Sequence, residues 1–467
     1  MITLLAIFFL QFTDKVGSER VCLSPTAMEM RRARDIAIDS LDYAVSPMYL
    51  DSVKTIGAKI LHHSRWMNGA TVEASEEAIR RIEKCTFVDT IYLTRTDDYS
   101  IDIPSVSLRK RMAIGNDAMR RVGEEASTEQ LAQLNLLPLH QAGYKGKGIR
   151  IGLADGGFYN ADSLAALPRE QWLGYADFTD DEDDFFGNSG NHGTLCLSSI
   201  VAKHEDYEGA ASEAEYYLFK TEEEYTESPK EIDNWIAAIE MADSLGVHIV
   251  STSLGYTTFD NEEFNFAYAD MDGRTSRGAQ AALIAARKGM LLVAAAGNDG
   301  NKAWHYLSTP ADTDSIMSVR AVEMAGEVAA FSSYGPSADS RVKPEVCAMG
   351  AGTALINPAN DEVINSNGTS FACPLVAGMA ACLWSALPNA TNMEIRERII
   401  RSADRYTQPH EQYGYGIPDA WLAYQHTTSI TTIINPPQAT KIMKDGQLYI
   451  LYNNEYYTIL GNEISKQ

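Results

Sequence analysis

Four polar residues, far apart along the chain, sit where a side chain is presented for reaction rather than for packing. Asp155 ends an alternating run through Ile149, Ile151 and Leu153 and is followed by Gly156-Gly157. The carboxyl ends of strands in open parallel sheets are where active groups collect. His192 lies in Gly190-Asn191-His192-Gly193-Thr194-Leu195, read as a loop entering the apolar run Leu195 to Ala202. Asn298, in Ala294-Ala295-Ala296-Gly297-Asn298-Asp299-Gly300, follows an apolar strand. Ser370, in Asn367-Gly368-Thr369-Ser370-Phe371-Ala372-Cys373-Pro374, opens a long apolar helical stretch, with the proline expected in its first turn. The N–H groups of such a turn favour negative charge. Each residue has a plain alternative: a turn or cap aspartate, a packed histidine, a turn asparagine, an N-cap serine. Together they are the parts of a nucleophile, its base, the base's orienting carboxylate and an oxyanion donor.

The elements that must position them read as α/β. Tyr216 to Phe219 and Val247 to Ser251 are strands, and Glu231 to Leu245 is an amphipathic helix stopped by Gly246. Ser276 to Lys288 is a second such helix, stopped by Gly289 before the apolar strand Met290 to Ala295. Helix, glycine stop and apolar strand, repeated, predict a parallel sheet covered by helices. Thr391 and Glu394 form a capping box for a helix carrying Ile395, Ile399 and Ile400. Upstream, residues 41–97 read as a small α+β unit with helices over Tyr49 to Gly57 and Ser75 to Lys84. Its strands are Lys59 to His62, Trp66 to Val72 and Val88 to Leu93. From about Thr427 the chain is β-like.

At 467 residues two or three units are expected. A net charge of −24 argues against nucleic acid and anionic membranes as main partners. The six cysteines form no C-x-x-C pair. The run Ile2 to Leu10 is too short to span a bilayer, so no stable membrane insertion is expected. It has the length of a signal-peptide core, or of a first strand continuing into Gln11-Phe12-Thr13. The polar stretch after Asp97, with Arg109-Lys110-Arg111 and Arg120-Arg121, suits proteolytic nicking.

The blocks Asp155-Gly156-Gly157, His192-Gly193-Thr194, Ser253-Leu254-Gly255, Gly297-Asn298 and Gly368-Thr369-Ser370-Phe371-Ala372-Cys373-Pro374 resemble, in order, the signatures of the subtilisin-like serine proteases. The resemblance implies a subtilisin-like parallel sheet flanked by helices over residues 130–426 and a propeptide-like α+β domain over 21–97. It further implies a possible signal segment over 1–20, a processing linker over 98–129 and a small C-terminal β segment over 427–467, similar to a sorting tail. The implied roles are Ser370 as nucleophile, His192 as base then acid, Asp155 as the imidazole's anchor and Asn298 as oxyanion donor, with the Ser370 backbone N–H beside it. Ser253, Leu254 and Gly255 with Ala295, Ala296 and Gly297 are implied to flank the primary specificity pocket and to pair with an extended substrate.

The expected activity is a secreted endopeptidase, exported through a periplasm and made as an autoprocessed proenzyme. Its partners would be polypeptide substrates and its own propeptide as inhibitor, with no nucleic acid among them. A catalytically retired binding module is disfavoured because all four catalytic positions are filled. An esterase is disfavoured by chain order and the lack of a G-x-S-x-G elbow. No cofactor is required. Calcium, common in the family, is possible at the acidic run Asp177 to Asp184, but no calcium-loop spacing is present. Glycine at 156, where the family often has threonine or serine, implies a lost hydrogen bond to Asp155. Leu195 and Cys196 are expected to touch no triad function, and Tyr256 to Arg277 is read as an insertion shaping substrate access.

Overall fold

The computed structural model describes residues 5–96, 126–179, 184–187, 190–224 and 226–425, with strand segments at 440–444, 447–452, 455–457 and 463–464. The basic clusters at 109–111 and 120–121 lie outside the described residues, as do 180–183 of the acidic run.

The N-terminal unit comprises β1 (Leu5–Phe12), α1 (Pro25–Ala33), α2 (Pro47–Ile56), β2 (Lys59–Ser64), β3 (Gly69–Ser75), α3 (Glu76–Ile82) and β4 (Val88–Thr96). Its strands pair antiparallel in the order β2-β3-β1-β4. The apolar run considered as a leader core is therefore an interior strand, and the unit starts well before residue 21. The run is apolar because both its faces are covered. Leu10 and Phe12 pack with Val53 and Ile82 beneath α2 and α3, while Phe9 points the other way into a cluster with Trp66 and Trp235.

The main body follows with α4 (Ala126–Gln133), α5 (Leu137–Gln141), β5 (Arg150–Asp155), β6 (Trp172–Asp177), α6 (His192–Val201), the short hairpin β7 (Lys203–His204) and β8 (Tyr207–Glu208), and β9 (Glu215–Lys220). Next come α7 (Lys230–Leu245), β10 (Ile249–Thr252), α8 (Arg277–Arg287), β11 (Leu291–Ala295), β12 (Met317–Val322) and β13 (Val346–Met349). It ends with the hairpin β14 (Thr353–Ile356) and β15 (Val363–Ser366), then α9 (Thr369–Ala386), α10 (Asn392–Ser402) and α11 (Ala420–Gln425). Seven strands form a parallel sheet in the order β13-β12-β11-β10-β5-β9-β6. After β5 the chain goes to the edge at β6, returns to β9 beside β5, then crosses to β10 on the other side of β5 and runs outward to β13. The sheet thus has a switch point between β5 and β10, where the strand ends leave a crevice.

One face of the sheet carries α6 and α9, and the other carries α7 and α8. Helix α9 is long and apolar enough to cross a bilayer, but 89% of it is buried in this body, as a core helix must be. Gly246, left-handed at φ 75°, ends α7, and the capping box of Thr391 and Glu394 starts α10. The strands β16 (Thr440–Lys444), β17 (Gln447–Tyr452), β18 (Glu455–Tyr457) and β19 (Glu463–Ile464) form an antiparallel sheet in a second unit, residues 425–467.

The N-terminal unit is bound to α7 through buried charge. Glu240 accepts from the backbone N–H of Arg65 at 2.9 Å and of Trp66 at 3.2 Å, capping the turn between β2 and β3. Asp243 receives both Arg65 and Arg31 at 2.7 Å. Asp42 joins Arg31 to Lys288, which lies 2.6 Å from it. Removing one member would leave a buried charge without its partner, the costly case for an ion pair.

Helix α1 reaches beyond this patch to the amino ends of the strands. Arg34 stacks over Trp384 at 4.7 Å, and the Ser24 N–H donates to the Ser244 carbonyl at 2.8 Å. His248, just before β10, accepts the Arg150 N–H on Nδ1 at 3.1 Å. Burial, with Arg34 and Arg150 close by, lowers its pKa to about 3 from an ordinary 6.5. The folded state therefore prefers neutral histidine. The stabilisation is present above pH 6.5 and is lost as pH falls from there toward 3, by up to roughly 5 kcal/mol. Urea unfolding across that window should show this loss, and His248→Gln should flatten it; parallel profiles would refute the assignment.

Candidate active site

Asp155 is the last residue of β5 and is buried. Its Oδ1 lies 2.7 Å from His192 Nδ1 and also accepts the Gly156 N–H at 2.7 Å. The backbone N–H at position 156 thus anchors the carboxylate without help from a side chain there. His192 is the first residue of α6 rather than part of a loop. Two glycines let the helix come this close. A Cβ on Gly193 would lie 2.6 Å from the Gly157 carbonyl oxygen, which instead accepts the Gly193 N–H at 2.9 Å.

Ser370 is the second residue of α9, whose N-cap is Gly368 with no side-chain cap, so the serine is not a cap. Pro374 also departs from expectation: it lies inside the helix, four residues after Ser370, and not in the first turn. Lacking an N–H, it cannot serve the Ser370 carbonyl, and its ring pushes that oxygen outward. Ser253 Oγ donates to the oxygen at 2.8 Å and Cys196 Sγ at 3.3 Å. Cys196 thus does touch the triad, with Sγ also 3.8 Å from His192 Nδ1. Burial and Asp155 raise its pKa well above the ordinary range, which keeps the thiol protonated as a donor.

The Ser370 hydroxyl donates to the Ser253 carbonyl at 3.3 Å, and His192 Nε2 has no hydrogen-bond partner among the described residues. The two elements are in place, while the serine–histidine hydrogen bond is not made in this resting arrangement. Such bonds often tighten only with substrate bound. Asn298 Oδ1 accepts both the N–H and the hydroxyl of Thr369, each at 3.0 Å. With its oxygen held by two donors, the amide must turn its NH₂ the other way.

The pocket segments bracket this helix start. Ser253, Leu254 and Gly255 continue β10, and Ala295, Ala296 and Gly297 end and follow β11. Their backbones differ from expectation in one respect. The Ala296 N–H goes to Val319, its carbonyl accepts from Ser308, and Gly297 bonds to Thr369 and Ser333. No described residue pairs with the backbone of Leu254 or Gly255, so only that segment presents a strand edge. In the insertion, Tyr268 stacks on Tyr306 at 3.8 Å. At the described ends of the acidic run, Asp177 Oδ1 takes the backbone and hydroxyl of Thr179, and Asp184 takes the Phe186 N–H.

Cys196, Thr369 and the hydroxyl of Ser253 are positioning residues that sequence reasoning missed. The available signal was Pro374, since a proline four residues on predicts a carbonyl in need of other donors.

Comparison with known proteins places this geometry. The profile described as Subtilase family matches residues 146–416. The chain belongs to the subtilases. It is thus a subtilisin-like serine endopeptidase of the peptidase S8 family with a propeptide: residues 8–105 match the peptidase S8 propeptide domain of Bacteroidota. The subtilase is 28% identical to a thermostable alkaline protease of Halalkalibacterium halodurans, over 76% of this chain and 91% of the relative. It is 29% identical to the minor extracellular protease Epr of Bacillus subtilis, over 62% of this chain and 41% of that one. The crystal structure of MycP1 from the ESX-1 type VII secretion system shares the fold, with a TM-score of 0.51 and 19% identity over 63% of this chain and 85% of that one.

The close approach of α6 to the loop after β5 sets a testable limit. Gly193→Ala must displace His192 from Asp155, because Gly157 is backbone and cannot yield as a flexible side chain would. A misplacement of about 1 Å costs on the order of 10²-fold in rate. Labelling by a fluorophosphonate should slow by at least that factor with α-helical circular dichroism retained; unchanged labelling would contradict the contact.

Proposed function

We propose that this subtilase hydrolyses peptide bonds through an acyl-enzyme on Ser370. His192 Nε2 takes the hydroxyl proton as Oγ attacks the scissile carbonyl, and Asp155 holds the imidazole by Nδ1 and balances its charge. The oxyanion receives the Asn298 NH₂ and the Ser370 N–H at the start of α9. His192 then hands the proton to the leaving amine, and water repeats the sequence to release the acid. The observation that carries this reading is the 2.7 Å Asp155–His192 contact beside an Asn298 whose amide is oriented by the residue preceding Ser370. A retired module would have no need of that orientation. Substrate would lie along Leu254 and Gly255 as an added strand, with Ala295, Ala296 and Gly297 forming the facing wall.

The N-terminal unit serves as the inhibitor until the chain cuts itself between the two domains. Arg95, at the end of β4, supports this by reaching Glu223 at 2.6 Å. Glu223 follows β9, and the intervening Thr221 N–H bonds to the Asp155 carbonyl at 3.0 Å. The last strand of the unit therefore ends at the same edge of the sheet as the triad. Export is part of the proposal, in keeping with an extracellular relative, and the C-terminal strands would act as the sorting tail. No step needs a cofactor.

Wild-type protein should react with a fluorophosphonate and shorten itself on a gel, while Ser370→Ala does neither. Asn298→Ala should keep binding substrate but lose about 10²–10³ in turnover, the loss that removing one such donor causes in a subtilisin. Absence of labelling and trimming in the wild type would defeat the reading.

A further inference from the structure

We infer that Ser308 sets the side-chain preference just before the scissile bond, selecting a short residue with a hydroxyl or carboxamide. The inference rests on the reading that Leu254–Gly255 and Ala295–Gly297 flank the substrate. Ser308 lies between those segments, with its N–H on the Ala296 carbonyl at 3.4 Å. It is 5% exposed, and its Oγ is buried without a hydrogen-bond partner among the described residues. That oxygen occupies the space Gly255 leaves, where a Cβ would come within 2.0 Å of it, and it would be in ordinary contact, at 3.7 Å, with a Cβ on Gly297. Ser333 Oγ approaches the same Gly297 position, at 2.8 Å, and accepts the Asp299 N–H.

Two hydroxyls therefore stand where two missing side chains would have been. A buried polar atom without a partner costs stability, so its presence between substrate-facing segments needs a reason. A bound hydroxyl or carboxamide supplies one, since a serine hydroxyl both donates and accepts. The same oxygen closes the gap between the glycine backbones to a ring. Small residues at 295–297 by themselves would leave room for a large apolar side chain; Ser308 takes that room away.

The test uses the full chain after its own processing and peptide anilides that differ only in the residue before the bond: Ser, Asn, Ala or Phe. Wild type should cleave the Ser and Asn substrates with kcat/KM about tenfold above Ala, the worth of one neutral hydrogen bond, and Phe worst. Ser308→Ala should erase the advantage of Ser and Asn over Ala without lowering Tm, because the hydroxyl has no partner to lose. Ser308→Gly should raise Phe relative to Ala at least tenfold. A wild type that reacts with fluorophosphonate but prefers Phe, or variants that lose Tm with preference unchanged, would overturn the role of Ser308 alone. Failure of fluorophosphonate labelling overturns the catalytic reading and this inference together.

Discussion

The active edge of the molecule depends on one displaced carbonyl. Pro374 removes the donor that would hold the Ser370 oxygen inside α9, at a cost of about 3 kcal/mol for proline in a helix interior. Ser253 from the end of β10 and Cys196 from α6 take that oxygen instead. A defect in one helix thereby becomes the joint between three elements. The serine and histidine helices and the β10 strand end cannot shift independently while that joint holds. Its parts are neutral, and the thiol stays so because burial and Asp155 disfavour the thiolate.

Around the joint, a division of labour follows from backbone geometry. Strand ends deliver Asp155 and the pocket segment at the switch point of the sheet, where the crevice needs no side chains to form it. Helix starts deliver His192 and Ser370. Backbone does much of the bracing: Gly156 holds the aspartate, Gly157 and Gly193 join its loop to α6, and Thr369 fixes the asparagine amide. Precision at the centre therefore comes from groups that cannot rotate away.

Most of the α/β pattern was legible because the glycine stops at 246 and 289 and the alternation before Asp155 are local signals. The four polar residues could be ordered for the same reason. Three things were not legible. The run from Leu5 to Phe12 reads as a leader core or as a first strand, and the sequence does not decide between them because both faces of that strand are covered, one by its own helices and one by Phe9 packing with Trp66 and Trp235. Glycine after His192 suggests a loop, whereas it serves the close approach of α6 to the Gly157 backbone. Cys196 is expected from its place in the sequence to touch no triad function, and only its distance to an oxygen 174 positions away shows its use.

The spacing of these contacts bears on how the molecule comes to exist at all. The joint at Ser370 spans 117 residues to Ser253 and 174 to Cys196, and parallel strands return no local hydrogen bonds while such loops close. The N-terminal unit is made first, pairs antiparallel within itself, and offers Phe9 and Trp66 to the α7 cluster. It thus gives α7 a packed surface to close against, which shortens the search that the long loops impose.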